Sequence, residues 1–170
     1  VVGIAHGNEK RIDELTPFKN EQYGGGNGDL YLAFIVNQLK PYIDRVYRTK
    51  KGKYNTAIGG SSLGGLISYY ATLKYPKIFG KCIVFSPAFW INPELFTLTE
   101  QTKTLKSKIY FMCGDSESDT MVNDMERMIT ALSTTRCSCL HLTKKAIIAH
   151  GKHTEKLWSN EFAKAYLWLF

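Results

Sequence analysis

Short apolar runs alternate along this chain with longer segments in which apolar positions recur at helical spacing. The apolar runs are rich in β-branched and aromatic residues and are bounded by Gly, Pro or polar residues, as buried strands are. They predict strands over residues 1–5, 55–60, 81–86, 108–114 and 139–149. The helical spacing predicts helices over residues 29–39, 63–75, 120–133 and 155–170.

This order of elements predicts an α/β fold, with a mostly parallel sheet that is covered by helices on both faces. In such sheets the active groups gather at the carboxyl ends of the strands. Residues 6–28 are expected to form a long polar loop, Asp29 to cap the next helix, and Pro41 to interrupt it. A length of 170 residues without a repeat or linker predicts a single domain over residues 1–170.

Composition and charge exclude several classes of protein. Hydrophobic residues make up 44% of the chain and charged residues 22%, which are ordinary globular values. No apolar run is long enough to span a membrane. The formal net charge is +7, but the basic residues are scattered and the densest run, residues 48–53, contains Gly52. A solvated loop is therefore favoured over a nucleic-acid partner.

The four cysteines do not form the pattern of a disulfide framework. Cys82 and Cys113 lie inside apolar runs and are expected to be core residues. This usage mildly favours a reducing compartment, so a cytoplasmic location is expected.

The strongest candidate chemistry lies in the stretch IGGSSLGG, residues 58–65. Residues 60–64 fit the pattern G-x-S-x-G with Ser62 at the centre, whereas a register centred on Ser61 would need glycine in place of Leu63. The pattern is typical of a nucleophile elbow, a sharp strand-to-helix turn that holds a serine in a strained conformation. Ser62 is thus the predicted nucleophile and the N–H of Leu63 an oxyanion donor. An ordinary glycine-rich turn is the alternative.

A serine nucleophile needs a histidine base, which follows it in the chain order of α/β-hydrolases. His6 lies upstream of Ser62, and His141 lies within a strand-like run. His150 and His153 both follow the last predicted strand, and His153 is favoured because it lies further into the loop, beside the last helix.

The carboxylate that orients the histidine is expected after the strand over residues 108–114. Asp115, Glu117 and Asp119 all lie there, and spacing alone leaves the choice open. The pair His150 and His153 lacks a supporting cysteine or carboxylate at metal-ligand spacing, so neither a metal nor another cofactor is predicted.

Several blocks of sequence are similar to those of one known family. The most specific is AIGGSSLGGLISYYATLKYPKIFGKCIVFSPAFW, and VVGIAHGNEKRIDELTPF, IYFMCGDSES and GKHTEKLW stand in the family's order around it. Together they resemble the esterase family of α/β-hydrolases that includes enterochelin (siderophore) esterases. Feruloyl esterases, S-formylglutathione hydrolases and mycolyltransferases are among its relatives.

The resemblance implies an α/β-hydrolase fold and assigns roles to individual residues. Ser62 matches the family's nucleophile, and His153 matches the histidine of a family ending in which a glycine precedes it and a tryptophan follows, here Gly151, His153 and Trp158. Glu117 matches the acid of its G-x-x-[DE] pattern, with Asp115 as the runner-up and Asp119 third. Nothing in the chain matches the family's further N-terminal strands, one of whose loops supplies a second oxyanion donor. The domain is therefore expected to be incomplete at its N-terminus.

The function that the resemblance implies is hydrolysis of a small-molecule carboxylic ester through a Ser-His-acid triad and an acyl-enzyme. Acyl transfer to an alcohol on the same triad and a catalytically silent binding module are the alternatives. Phe89 and Trp90 are candidate walls of a substrate pocket, or core residues, and Arg11 is a candidate substrate ligand or the partner of Asp13 or Glu14. Neither the particular ester nor the oligomeric state follows from the sequence.

Overall fold

The computed structural model describes residues 1–102, 105–134 and 142–170, and four strands within them form one parallel sheet in the order β1-β2-β3-β4. The strands are β1 (Ala57–Ser61), β2 (Lys81–Phe85), β3 (Lys108–Gly114) and β4 (Thr143–Ile148). In the register of the sheet, Ser61 lies beside Phe85, and Phe85 beside Met112. The carboxyl ends of the strands therefore share one edge of the sheet, and this confirms the predicted fold class.

Helices connect the strands and cover the sheet. They are α1 (Arg11–Leu15), α2 (Gly28–Phe34), α3 (Lys40–Val46), α4 (Leu63–Lys74), α5 (Glu94–Gln101), α6 (Met121–Thr134) and α7 (Glu155–Leu169). Shorter 3₁₀ turns span Asn8–Lys10, Lys53–Asn55 and Phe89–Ile91. Within the described residues, no helix has the length and apolar character that crossing a bilayer requires.

Alternate residues of the strands feed two separate cores, because successive side chains of a strand point to opposite faces. Cys82 and Val84 of β2 join the larger core, to which α4, α5 and α6 contribute. Ile83 and Phe85 pack on the other face with α7. Both faces of β2 and β3 are thus buried, which explains why these strands are almost continuously apolar in sequence.

The N-terminal residues 1–5 do not form the predicted strand. Val1, Val2 and Ile4 are exposed, and no described strand lies beside them. An apolar, β-branched run favours extended backbone, but a strand also needs a neighbour that takes its hydrogen bonds. The pattern alone carries no information about that neighbour, and the prediction was wrong for this reason.

Three details of the first helical region also differ from prediction. Residues 6–28 contain the 3₁₀ turn and α1, so they are not a continuous loop. Asp29 lies inside α2 and accepts a hydrogen bond from the Tyr70 hydroxyl at 2.8 Å, so it is not the N-cap. Pro41 does not break the helix, because a π-helical segment over Ile35–Leu39 joins α2 to α3. Pro41 is the second residue of α3, which directly follows that segment.

Candidate active site

The turn between β1 and α4 holds Ser62 in a rare backbone conformation, with φ 57° and ψ −122°. A positive φ is strained for a residue with a Cβ atom, and such strain persists only where the surroundings enforce it. Here the Ser62 N–H donates to the Phe85 carbonyl at 2.9 Å, and the Ser62 carbonyl accepts from the N–H groups of Leu66 and Ala88. The turn is therefore fastened to both the helix that follows it and the end of β2.

The glycines of the motif differ in what they do. A Cβ atom on Gly60 would lie 2.7–2.9 Å from the backbone of Gly64, and one on Gly65 would lie 2.9 Å from the Phe85 carbonyl oxygen. A Cβ atom on Gly64 would meet nothing within 4 Å. The tight turn thus requires glycine at positions 60 and 65, while position 64 is open.

Leu63 is the first residue of α4, and its side chain is buried in the core. The first N–H groups of a helix have no carbonyl partner within that helix, and the helix dipole adds partial positive charge there. The Leu63 N–H therefore stands next to Ser62 with the polarity that a developing oxyanion needs.

Glu117 and His153 are brought together although they are 36 residues apart in sequence. Glu117 Oε2 lies 2.6 Å from His153 Nδ1, and the Glu117 side chain is only 1% exposed. The other carboxylate oxygen, Oε1, accepts hydrogen bonds from the Gly114 N–H at 2.5 Å and from the Ser86 hydroxyl at 2.7 Å. The carboxylate is therefore fixed on one side and directed at the imidazole on the other.

The other two candidate carboxylates lie elsewhere. Asp115 is exposed, and its Oδ1 accepts the His150 N–H at 2.7 Å and the Ser116 hydroxyl at 2.9 Å. Asp119 is exposed as well. Of the three, only Glu117 contacts a histidine ring in the described structure.

The loop after β4 is fastened to the loop after β3, which places His153. The Asp115 N–H donates to the Ile148 carbonyl at 3.1 Å, and the Ser116 N–H donates to the Gly151 carbonyl at 3.0 Å. A Cβ atom on Gly114 would collide with the backbone of Gly151, so these two chains approach as closely as glycine permits. His150 adopts φ 58° at this crossing, and its backbone is what Asp115 holds.

Ser86 and Trp158 join Glu117 and His153 in one cluster; the sequence named Trp158 only as the tryptophan of the histidine motif and did not point to Ser86. Ser86 follows β2, is fully buried and has φ 43°. Its hydroxyl oxygen accepts a hydrogen bond from Trp158 Nε1 at 2.8 Å. The Trp158 ring also packs edge-to-face on the His153 ring, with centroids 4.9 Å apart. In the sequence, the one feature that could have pointed to Ser86 is its place as the polar residue that ends the apolar run over residues 81–86.

Ser62 and His153 are not joined by a hydrogen bond in the described structure, and the His153 side chain is 37% exposed. The link between them runs through the end of β2, since Ser62 is bonded to Phe85 and the adjacent Ser86 is bonded to Glu117. Catalytic hydrogen bonds are often formed only when substrate is bound. His6 instead accepts the Asn8 N–H in the N-terminal segment, and His141 lies outside the described residues.

One cysteine lies next to the cluster in the chain. Cys113 precedes Gly114 in β3 and is fully buried. Burial, and then the charge of Glu117, raise the pKa of the Cys113 thiol to about 12. The thiol therefore stays protonated at neutral pH, and protonated thiols are poor nucleophiles.

The candidate pocket residues have different environments. Phe89 is fully buried and packs on Tyr69, as the core alternative requires. Trp90 is 50% exposed and packs edge-to-face on Tyr23, with centroids 5.4 Å apart. Arg11 begins α1 and makes no ion pair with any described residue.

The acidic residues of α1 do not brace Arg11. Glu14 instead accepts the Gly7 N–H at 2.7 Å.

Two surface clefts, of about 400 and 340 Å³, lie between other residues and include none of the cluster. Among the described residues, no group of three or more His, Cys, Asp or Glu could hold a metal ion.

The sequence matches the family described as "Putative esterase" over residues 1–169. The chain therefore belongs to this esterase family. It is 28% identical to the uncharacterized protein YbbA of Bacillus subtilis over 180 residues, which cover 95% of this chain and 70% of YbbA. It is 34% identical to the ferri-bacillibactin esterase BesA of the same species over 88 residues, which cover 51% of this chain and 29% of BesA.

Two solved structures share the fold. The BES protein of Bacillus cereus superimposes with a TM-score of 0.76 at 19% identity, over 99% of this chain and 66% of that protein. The enterobactin esterase FES of Shigella flexneri gives a TM-score of 0.73 at 17% identity, over 82% of this chain and 38% of FES. The chain thus spans most of YbbA but well under half of BesA and FES.

Proposed function

We propose that this chain carries the catalytic residues of a serine esterase that cleaves small-molecule carboxylic esters. The observation that carries the proposal is the buried Glu117 carboxylate 2.6 Å from His153 Nδ1, at the sheet edge where Ser62 has its strained backbone. Membership of an esterase family supports the same reaction class. Several relatives of known activity are siderophore or feruloyl esterases, which favours an ester substrate here too.

The reaction begins with attack of Ser62 Oγ on the ester carbonyl carbon. His153 Nε2 takes the serine proton as the bond forms, and the carbonyl oxygen becomes an oxyanion beside the Leu63 N–H. As the tetrahedral intermediate collapses, the ester C–O bond breaks and His153 gives the proton to the leaving alcohol. A water molecule then repeats these steps on the acyl-enzyme, which releases the acid and restores Ser62.

Glu117 orients the base and does not itself transfer the proton. Its Oε2 accepts the Nδ1–H of His153, which leaves the lone pair of Nε2 available to take the serine proton. The imidazolium that forms in each step is then stabilised by the adjacent carboxylate. This arrangement makes the usually unreactive serine hydroxyl a nucleophile at neutral pH.

A fluorophosphonate probe tests the proposal directly, because it reacts covalently with activated serines. Wild-type protein is expected to be labelled at Ser62 and to hydrolyse p-nitrophenyl acetate. Ser62→Ala should abolish both, whereas Ser61→Ala is the matched control and should keep both. Labelling that persists in Ser62→Ala, or a wild-type protein that neither labels nor hydrolyses esters, would overturn the proposal. Added alcohol in the same assay separates hydrolysis from acyl transfer by its products.

A further inference from the structure

The buried hydroxyl of Ser86 connects three parts of the cluster that are far apart in sequence. It accepts from Trp158 Nε1 at 2.8 Å, 72 residues away, and donates to Glu117 Oε1 at 2.7 Å, 31 residues away. The Ser86 side chain is fully buried, so no solvent molecule competes for these bonds. Its φ of 43° is an unfavourable backbone conformation for a residue with a Cβ atom, and such strain persists only where the surroundings enforce it.

The direction of the two hydrogen bonds is fixed by chemistry. An indole N–H only donates, so the Ser86 oxygen must be the acceptor from Trp158. The single hydroxyl proton of Ser86 is then free to point at the carboxylate. Trp158 therefore sets the rotation of the Ser86 hydroxyl, and that rotation delivers a second donor, beside the Gly114 N–H, to Glu117 Oε1.

We infer that Ser86 is a positioning residue for the acid of the triad and that Trp158 acts through it. Two donors on Oε1 hold the plane of the carboxylate, so that Oε2 faces His153 Nδ1. Trp158 orients the imidazole a second time through its ring, which packs edge-to-face on His153. The inference rests on the proposed esterase function, since it assigns a role within that triad.

Two substitutions separate the parts of this connection. Ser86→Ala removes the hydroxyl and with it both bonds, and kcat is expected to fall about tenfold with KM unchanged. Trp158→Phe keeps an aromatic ring against His153 but removes the N–H donor, so a smaller fall in kcat is expected. The double variant should be no slower than Ser86→Ala alone, because both changes interrupt one chain of hydrogen bonds. Trp168→Phe is the matched control, since Trp168 also lies on α7 but packs on Tyr110.

Each rate is divided by the number of sites that the fluorophosphonate titrates, so that misfolded protein does not count. A purely structural role for Ser86 would lower the melting temperature and the number of titrated sites, and would leave kcat per site unchanged. That result, or strictly additive losses in the double variant, would overturn the inference while leaving the esterase proposal intact. If Ser86→Ala does not fold, Trp158→Phe decides alone: kcat per site equal to that of Trp168→Phe contradicts the inference.

The low-field proton resonance of His153 Nδ1–H gives an independent readout. Wild-type protein and Trp168→Phe should show it at the same position. In Trp158→Phe it should shift or broaden, because the carboxylate that accepts this proton is less firmly held. An unchanged resonance would contradict the inference even where kcat falls. Absence of turnover in the wild type is a different failure and counts against the esterase proposal itself.

Discussion

The turn that carries Ser62 and the cluster that holds His153 share the carboxyl edge of the sheet but are built in different ways. In the turn, the constraint is the backbone: a positive φ, two glycines against neighbouring main chain, and main-chain hydrogen bonds from Ser62 to α4 and to the end of β2. In the cluster, the constraint is side-chain hydrogen bonding between residues 31 to 72 positions apart. The turn is therefore vulnerable to added atoms, and the cluster to a lost donor or acceptor.

The largest expected effect comes from changing one atom of the cluster. Glu117→Gln replaces one carboxylate oxygen by an NH₂ group, which only donates. The Gly114 N–H and the Ser86 hydroxyl keep the amide oxygen at the Oε1 position, so the NH₂ group faces His153 Nδ1 and the imidazole is held in the wrong tautomer. We expect kcat to fall roughly 10³- to 10⁴-fold, the value of an orienting acid in a serine triad. Steady-state hydrolysis of p-nitrophenyl acetate measures this, with thermal unfolding showing that the fold is kept.

Asp115→Asn is the matched control for that change. It also turns a carboxylate into an amide in the same loop, but its remaining oxygen still accepts the His150 N–H. Activity close to that of the wild type is expected. If Asp115→Asn lost activity while Glu117→Gln kept it, the acid of the triad would be Asp115.

The next effect tests the turn through its stability. Gly60→Ala adds a methyl group 2.7–2.9 Å from the backbone of Gly64, and main chain cannot turn aside as a flexible side chain can. We expect a loss of about 2–3 kcal/mol in the free energy of unfolding, as overpacking against rigid neighbours costs. Urea denaturation measures it. Gly52→Ala, in a loop where the nearest atom is 3.8 Å away, should have little effect.

The same contrast explains what the sequence could reveal. The turn is encoded by consecutive residues, so the register of Gly60 and Gly64 was enough to select Ser62 over Ser61. The helices that follow the strands were predicted well for a similar reason: α4, predicted over residues 63–75, spans Leu63–Lys74. Local sterics and periodicity are written in neighbouring positions.

The residues of the cluster lie far apart in sequence, so their spacing was not sufficient to identify which of them meet. Three carboxylates within five residues looked alike until the resemblance to a family favoured Glu117. Trp158 was known only as the tryptophan of the histidine motif, and Ser86 was not connected to the site at all. Residues 1–5 show the same limit for the fold, since their apolar pattern predicted a strand without a neighbour to pair with. Partners distant in sequence are fixed only when the sheet brings its strands together.

A moderate effect is expected at the start of α7, where a helix cap follows His153 directly. Thr154 follows His153 and caps α7, and its hydroxyl accepts the Leu157 N–H at 3.4 Å. Thr154→Ala should lower the free energy of unfolding by about 1 kcal/mol, because one N–H at the helix start loses its partner. Thr154→Ser keeps the hydroxyl and should match the wild type in urea denaturation. Equal losses in both variants would mean that the methyl group, and not the cap, matters.

The smallest expected effect has the opposite sign and gives the sharpest test of the turn. Gly64 is the second motif glycine, but a Cβ atom there would meet nothing within 4 Å, and it lies in the first turn of α4. Because alanine favours a helix over glycine, Gly64→Ala should be neutral or gain up to about 1 kcal/mol in urea denaturation. Alanine at the two glycines of one motif would then change the free energy of unfolding in opposite directions. A loss as large as that of Gly60→Ala would mean that the backbone of α4, rather than the contact with Gly60, sets the requirement. In that case the turn, like the cluster, would depend on contacts that its own residues do not reveal.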